Sequence, residues 1–248
     1  MAGNRVAASA FQTVLETVFP PHCLSCQQMV SELGGLCPDC WRDAHFINGL
    51  ICNKCGVPLP GESSDRAELC DDCMTIARPW AQGRAVFVYK GTGRKLVLGL
   101  KHADRQDIAP VAGMWMQRSL EGILTRNMIV APIPLHWFRF WRRRYNQSAL
   151  LAREIAKQSG LTYVPDLLKR KNHTQSLDGL GREERFALMQ NRITINPHWD
   201  NKIKGRDVLI VDDVMTSGAT LAAASEAAIV AGARQICIVA LARVQKDA

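Results

Sequence analysis

No window of about 18 uninterrupted apolar residues occurs in this 248-residue chain, so a membrane-spanning helix is not expected. The stretch from Arg5 to Phe19 lacks a clean apolar centre, being broken by Gln12, Thr13, Glu16 and Thr17, and it lacks a small-residue cleavage site. It reads as an amphipathic helix packed on the adjoining module rather than as an export signal, and the expected compartment is the cytoplasm. Acidic residues are the minority charge, 23 against 31 basic ones, for a net +8. That balance weakly favours phosphorylated or polyanionic partners. Beyond residue 73 the chain has a single cysteine, Cys237, set in the apolar run 235–241 and read as a buried core thiol. With 47% apolar residues, the length suits one medium domain plus a small one.

The other eight cysteines form four Cys-x-x-Cys pairs: Cys23/Cys26, Cys37/Cys40, Cys52/Cys55 and Cys70/Cys73. This spacing lets two thiolates of one turn hold the same metal, and two such knuckles complete a tetrahedral site. Eight thiolates therefore imply two zinc ions, structural because four ligands leave no open position. A disulfide framework is the competing reading and suits a secreted chain better. Pro38 after Cys37 and Gly56 after Cys55 are knuckle punctuation. Sequential pairing joins the first two pairs and the last two, whereas cross-bracing joins first with third and second with fourth. The short spacers favour the sequential arrangement. His22 and His45 are spare ligands that eight thiolates do not need.

A linker carrying Pro79 is expected near 75–82. Beyond it the pattern alternates. Arg84 to Tyr89 reads as a strand, Gly93 to His102 and Ile108 to Leu124 as helices, and Met128 to Ile133 as a strand. Asn146 to Gln158 is a helix closed by Gly160, Leu161 to Leu168 a strand, and Glu183 to Asn191 a short helix. Asp207 to Asp212, Ala219 to Val230 and Gln235 to Ala242 complete a strand, helix and strand. Such alternation predicts an α/β fold with a mostly parallel sheet covered on both faces, whose ligands bind beyond the carboxyl ends of the strands.

Two such ends carry chemistry. At the first, Val208-Leu209-Ile210-Val211 runs into Asp212-Asp213, then Val214, Met215, Thr216, Ser217, Gly218, Ala219 and Thr220 lead into an Ala-rich helix. Free amides of the loop and the positive end of the helix dipole favour a phosphate. The two carboxylates suit ribose hydroxyls or a hydrated magnesium ion. Gly218 suits a positive φ or a tight backbone approach. At the second, Pro132 and Pro134 fix the exit of a strand toward Arg139, Arg142, Arg143 and Arg144, then Tyr145-Asn146-Gln147. Guanidiniums placed there suit a pyrophosphate. A second basic run, Lys169, Arg170 and Lys171, lies further along.

The Asp212 to Thr220 run resembles the phosphoribosyl-pyrophosphate (PRPP) motif of type I phosphoribosyltransferases. With the cysteine pairs, Pro132-Ile133-Pro134-Leu135 to Arg144-Tyr145-Asn146-Gln147, and Lys169 to Leu177 with Arg182 and Arg185, the chain resembles the ComF/GntX family of competence proteins over nearly its whole length. The family usually has Gly where this chain has Arg144, Phe at Tyr145 and Asn at Phe186. The resemblance implies an N-terminal helix over 1–22, a double zinc ribbon over 23–78 and a phosphoribosyltransferase-like domain over 79–248. It implies Asp212 and Asp213 as catalytic residues on the ribose, Val214 to Thr220 with Arg139, Arg143 and Arg144 around PRPP and Mg²⁺, and a lid from Lys171 to Arg185. No nucleobase hood is recognisable, so no acceptor is assigned. The implied role is DNA uptake in natural transformation, with competence proteins as partners. The alternative is a non-catalytic binder of single-stranded DNA that uses the PRPP pocket as a sensor, with Trp137, Phe138, Phe140, Trp141 and Tyr145 available to stack bases. Lys101-His102 ends a helix much as the family's Leu-Lys segment does, with no role assigned, and reads equally as a plain C-terminal cation.

Overall fold

The computed structural model describes residues 20–31, 34–62, 67–102, 105–135, 145–170 and 192–245. In chain order its strands are β1 (Gln82–Val88), β2 (Ile129–Pro132), β3 (Thr162–Tyr163), β4 (Leu168–Arg170), β5 (Ile193–Ile195), β6 (Asp207–Met215) and β7 (Gln235–Arg243). Its helices are α1 (Pro38–Arg42), α2 (Asp71–Thr75), α3 (Gly91–His102), α4 (Ile108–Ser119), α5 (Gln147–Ser159), α6 (Asp200–Ile203) and α7 (Ala219–Val230). Five strands form one all-parallel sheet in the order β1-β7-β6-β2-β3, and β4 and β5 form a separate antiparallel pair.

Strand periodicity of two sorts the sheet's side chains into two cores. Ile129, Ala131, Val208, Ile210, Ile236, Ile238 and Ala240 enter one. Val130, Leu209, Val211, Cys237, Val239 and Leu241 enter the other. Both faces are buried, which is why β6 and β7 read as continuous apolar runs rather than as alternating ones. The second core is closed by Leu96 and Leu100 of α3, Ile108 and Met116 of α4, and Leu151 and Ile155 of α5. Leu151 and Ile155 are four apart, so they lie on one helix face. Each fully buried side chain of this kind contributes about 1.5–3 kcal/mol. The first core is closed by α7, whose Ala222, Ala224 and Ala228 let the helix lie close to the strands, and by the β4–β5 pair.

The helix α5 ends as its sequence predicts, at Gly160 in the left-handed region (φ 67°), whose amide bonds back to Ala156. Other boundaries moved for identifiable reasons. The strand expected over 161–168 is divided by Pro165, which has no N–H to give a ladder, leaving β3 before it and β4 after it. The strand expected to stop at Asp212 runs on to Met215, because β7 continues opposite it and pairs Val214 with Ala242 and Met215 with Arg243. The helix expected to reach Leu124 ends at Ser119, followed by a turn in which Gly122 has φ 78°. The helices expected before residue 22 and over 183–191 lie outside the described residues. No helix among the described residues is long and apolar enough to cross a membrane.

The stretch read as a linker is not a free tether. Trp80 and Arg78 within it are buried. The Cys-rich segment is sewn to β1: Gly83 donates to Asn53 O (2.9 Å), Ile47 to Val86 O (2.8 Å) and Val88 to His45 O (3.0 Å). A Cβ on Gly83 would stand 2.3 Å from Lys54 O, so only glycine lets the two backbones approach this closely.

Chain connectivity places the crevice. The β2-to-β3 crossover carries α5 on one face of the sheet, and the β6-to-β7 crossover carries α7 on the other. The helices part between β2 and β6, beyond whose carboxyl ends open α/β sheets bind their ligands.

Candidate functional site

The Sγ atoms of Cys23, Cys26, Cys37 and Cys40 all lie within 4.8 Å of one another, and so do those of Cys52, Cys55, Cys70 and Cys73. Cys26 and Cys37 are 3.6 Å apart at sulfur, as are Cys55 and Cys70. A tetrahedron with Zn–S bonds of about 2.3 Å has edges of about 3.8 Å, so the sulfurs fit a zinc ion. The pairing is therefore sequential. No cysteine is disulfide-bonded, and the eight sulfurs gather in fours, as a metal requires, rather than in twos. The first knuckle of each site is closed by a left-handed residue beside its second cysteine: Gln27 (φ 67°) donates to Cys23 O, and Gly56 (φ 68°) to Cys52 O. His22 and His45 belong to neither group. With four thiolates apiece the two sites are closed and structural. They differ in setting. Cys23, Cys37 and Cys40 form a small cluster of their own, whereas Cys52, Cys55 and Cys73 belong to the α7-side core with Trp80 and Met215.

Asp212 and Asp213 stand at the end of β6. The Asp212 carboxylate accepts from Ser148 Oγ of α5 (3.0 Å) and from the Asp213 amide (2.9 Å). Burial first, and the Asp213 carboxylate second, push the Asp212 carboxyl up to about 7, against the opposing pull of Lys101. Asp213 is buried and holds Lys101 Nζ at 3.2 Å. Lys101 thus does more than complement a helix end: it reaches from α3 across the strand ends to the acid pair.

The loop after β6 is short. Val214 and Met215 still belong to the sheet, so only Thr216, Ser217 and Gly218 leave it before Ala219 opens α7. Gly218 is the N-cap at φ 83° and has no side chain to offer, while the Ala219 amide donates to Ser217 Oγ (3.4 Å). The helix therefore presents amides and the positive end of its dipole at the crevice. Two buried guanidiniums hold the loop from beneath. Arg243 Nη1 donates to Met215 O (3.2 Å) and Thr216 O (2.5 Å), and Arg78 Nη1 donates to Ser217 O (2.9 Å).

At the β2 end, Tyr145 donates to Leu100 O (2.8 Å) and Asn146 Nδ2 to Ile133 O (2.9 Å), tying the start of α5 to α3 and β2. Gln147 is 1% exposed, and among the described residues neither atom of its amide has a hydrogen-bond partner. Arg139, Arg143, Arg144 and the segment from Lys171 to Arg185 lie outside the described residues. The structure thus brings together Asp212, Asp213 and Thr216 to Thr220. It adds Lys101, Ser148, Arg78 and Arg243, whose roles are not written in the motif. Ser148 directly follows Asn146-Gln147, which was a usable signal. Arg78 sat in an apparent linker and gave none.

The fold and these two sets of residues define a phosphoribosyltransferase-type α/β sheet carrying a double zinc ribbon. Residues 14–74 match the double zinc ribbon domain, and residues 146–248 match the phosphoribosyl transferase domain. Competence protein F of Haemophilus influenzae is 26% identical over 235 residues, which cover 89% of this chain and 96% of that protein. DNA utilization protein YhgH of Escherichia coli K12 is 27% identical over 232 residues, 90% of this chain and 97% of that one. Competence protein ComFC of Bacillus subtilis is 24% identical over 193 residues, 75% and 74% of the two chains. The chain thus carries both domains and is similar over about 90% of its length to competence and DNA utilization proteins, in keeping with the resemblance its motifs carry.

Proposed function

We propose that the crevice at the carboxyl ends of β6 and β2 binds the ribose 5-phosphate end of PRPP. One observation carries this reading: two adjacent acids near the end of β6, one of them raised to about 7, stand a short loop before the N-terminus of α7, whose N-cap is a glycine. In this reading the amides of Thr216 to Thr220 take the 5-phosphate oxygens. Asp212 and Asp213 accept from the ribose hydroxyls, and Ser148 orients Asp212. The same carboxylates suit Mg²⁺, which when bound would supply counter-charge to the pyrophosphate. Arg139, Arg143 and Arg144 remain our candidates for the pyrophosphate itself, and Lys171 to Arg185 for the covering lid. If the site turns over, the bond from ribose C1 to the pyrophosphate oxygen breaks, pyrophosphate departs with the electron pair, and an acceptor bonds to a cationic ribose beside the fixed acids. We take the chain to divide at 22/23 and 78/79 and to work in the cytoplasm.

The test is calorimetric titration of PRPP with Mg²⁺. Wild type should bind, and Asp212→Asn with Asp213→Asn should lose about 10- to 100-fold in affinity, the worth of charged hydrogen bonds. Unchanged affinity in the double variant would show the assignment to be wrong.

A second reading rests on what the relatives are called, competence and DNA utilization proteins. Here the chain handles incoming single-stranded DNA alongside competence proteins, with the pocket as a sensor. Gel shifts with single-stranded DNA across salt separate the two readings: a steep loss of binding with salt supports a phosphate-tracking surface, and no shift at low salt removes it.

A further inference from the structure

The two guanidiniums beneath the loop are unusual in their surroundings. Arg78 is 8% exposed and Arg243 5% exposed. Among the described residues neither has a carboxylate within ion-pair distance. Arg78 Nε and Nη2 and Arg243 Nε have no hydrogen-bond partner among the described residues. Buried charges of one sign need an opposite charge close by. Here it comes from the second tetrathiolate: Cys52, Cys55 and Cys73 share one buried cluster with Trp80, over which Arg78 lies, and with Met215, whose carbonyl Arg243 holds. Four thiolates on one Zn²⁺ leave a charge of minus two, which two guanidiniums match.

On their other side the same guanidiniums grip the carbonyls of Met215, Thr216 and Ser217. These peptides are trans, so each carbonyl and the next residue's N–H point in opposite directions. Holding those carbonyls down turns the amides of Thr216, Ser217 and Gly218 away from the zinc centre and toward the crevice. Trp80 completes the contact. Arg78 lies over its ring at 5.5 Å, and a Cβ on Gly218 would meet Arg78 Nη1 at 3.1 Å and Trp80 Cη2 at 3.3 Å. No comparable bridge leads from the first cysteine group to the loop among the described residues.

The geometry points to a coupled pair of sites: Arg78 and Arg243 link the zinc centre of Cys52, Cys55, Cys70 and Cys73 to the anion-binding loop, so that metal at this centre and a ribose 5-phosphate group on the loop stabilise each other. Arg78 is the positioning residue. The inference rests on the sugar-phosphate reading of the loop and adds to it a regulator, the metal state of one of the two ribbons. Coupling of this kind is reciprocal and of the order of 5- to 150-fold.

The experiment uses the full zinc-loaded chain. Thiol alkylation after chelator challenge is followed peptide by peptide, with and without saturating ribose 5-phosphate, while calorimetry records binding. Ligand should slow modification of Cys52, Cys55, Cys70 and Cys73 at least about 5-fold and leave Cys23, Cys26, Cys37 and Cys40 unchanged. Arg78→Met should abolish this selective protection and weaken ligand binding, and Arg78→Lys should restore part of both. If wild type binds ligand but protects both groups equally or neither, the coupling is overturned and the sugar-phosphate site stands. If wild type binds no ribose 5-phosphate or PRPP, the site assignment and the coupling fall together.

Discussion

At Gly218 the backbone takes φ 83°, and an added Cβ would come within 2.8 Å of Met215 Cε. Two costs meet there, the left-handed conformation and the crowding against Met215 and Arg78. Gly218→Ala should therefore destabilise the chain by about 1–3 kcal/mol in denaturant titrations. Gly122 is a useful contrast. It has φ 78° with nothing within 4 Å of a Cβ, so Gly122→Asn should cost much less. Asp212 makes a prediction of the opposite sign. Its carboxyl is raised from 3.8 to about 7, so between those values the folded chain holds a proton that the unfolded chain has released. Stability from this group is present at low pH and declines as pH rises toward 7. Asp212→Asn should remove that decline and raise the melting temperature of the ligand-free protein at pH 8 while weakening PRPP. A melting temperature unchanged or lowered at pH 8 would contradict this account of Asp212. The acid pair and Gly218 were legible because the motif is contiguous. Arg78 was not, because its carbonyl partner is 139 positions away and no local pattern marks it.

Strands β6 and β7 carry both the core and the site, and their two ends are secured differently. At the amino end, Asp207 is 1% exposed and accepts from Arg234 Nε (2.7 Å) and Nη2 (2.5 Å) and from Thr125 (2.8 Å). The Arg234 guanidinium holds the Asp207 carboxyl below its ordinary value. A depressed carboxyl contributes stability above its unfolded value, and that contribution is lost as pH falls through the folded one. Asp207→Asn should therefore lower the melting temperature at pH 7, and the gap from wild type should close in strongly acidic buffer. At the carboxyl end Arg243 and Arg78 do the work of this clamp by holding the carbonyls of Met215, Thr216 and Ser217. Apolar runs and a C-terminal glycine made β6, β7 and α5 readable from residue order. Pro165 was also in plain view, and its lack of a ladder donor explains why a single expected strand became β3 and β4. The pairing of β4 with β5 depends on residues 23 or more positions apart, which periodicity does not report.

On the scale of the whole chain, the two ribbons are unequal partners of the sheet. The first keeps its own cysteines in a small cluster and reaches the core through Leu24, whereas the second contributes Cys52, Cys55 and Cys73 themselves to the core beneath α7. Zinc binding of this kind is folding free energy. Cys55→Ser should lower thermal stability more than Cys37→Ser, as read by calorimetric melting with zinc content measured on the same samples. Equal losses would show that the second ribbon is not part of the core in the sense argued here. The existence of two zinc sites was readable from spacing alone. Their unequal coupling to the sheet was not, because Gly83 against Lys54 and Arg78 against Ser217 are contacts between distant segments.

The central claim is that the amides of residues 216–220 hold a phosphate while Asp212 and Asp213 hold the attached ribose. The most direct measurement is a crystal structure with ribose 5-phosphate at saturating concentration. The account predicts phosphate density at the N-terminus of α7 and ribose hydroxyls on the two carboxylates. Phosphate bound elsewhere, or a crevice closed by Lys101 with the ligand absent, would contradict it.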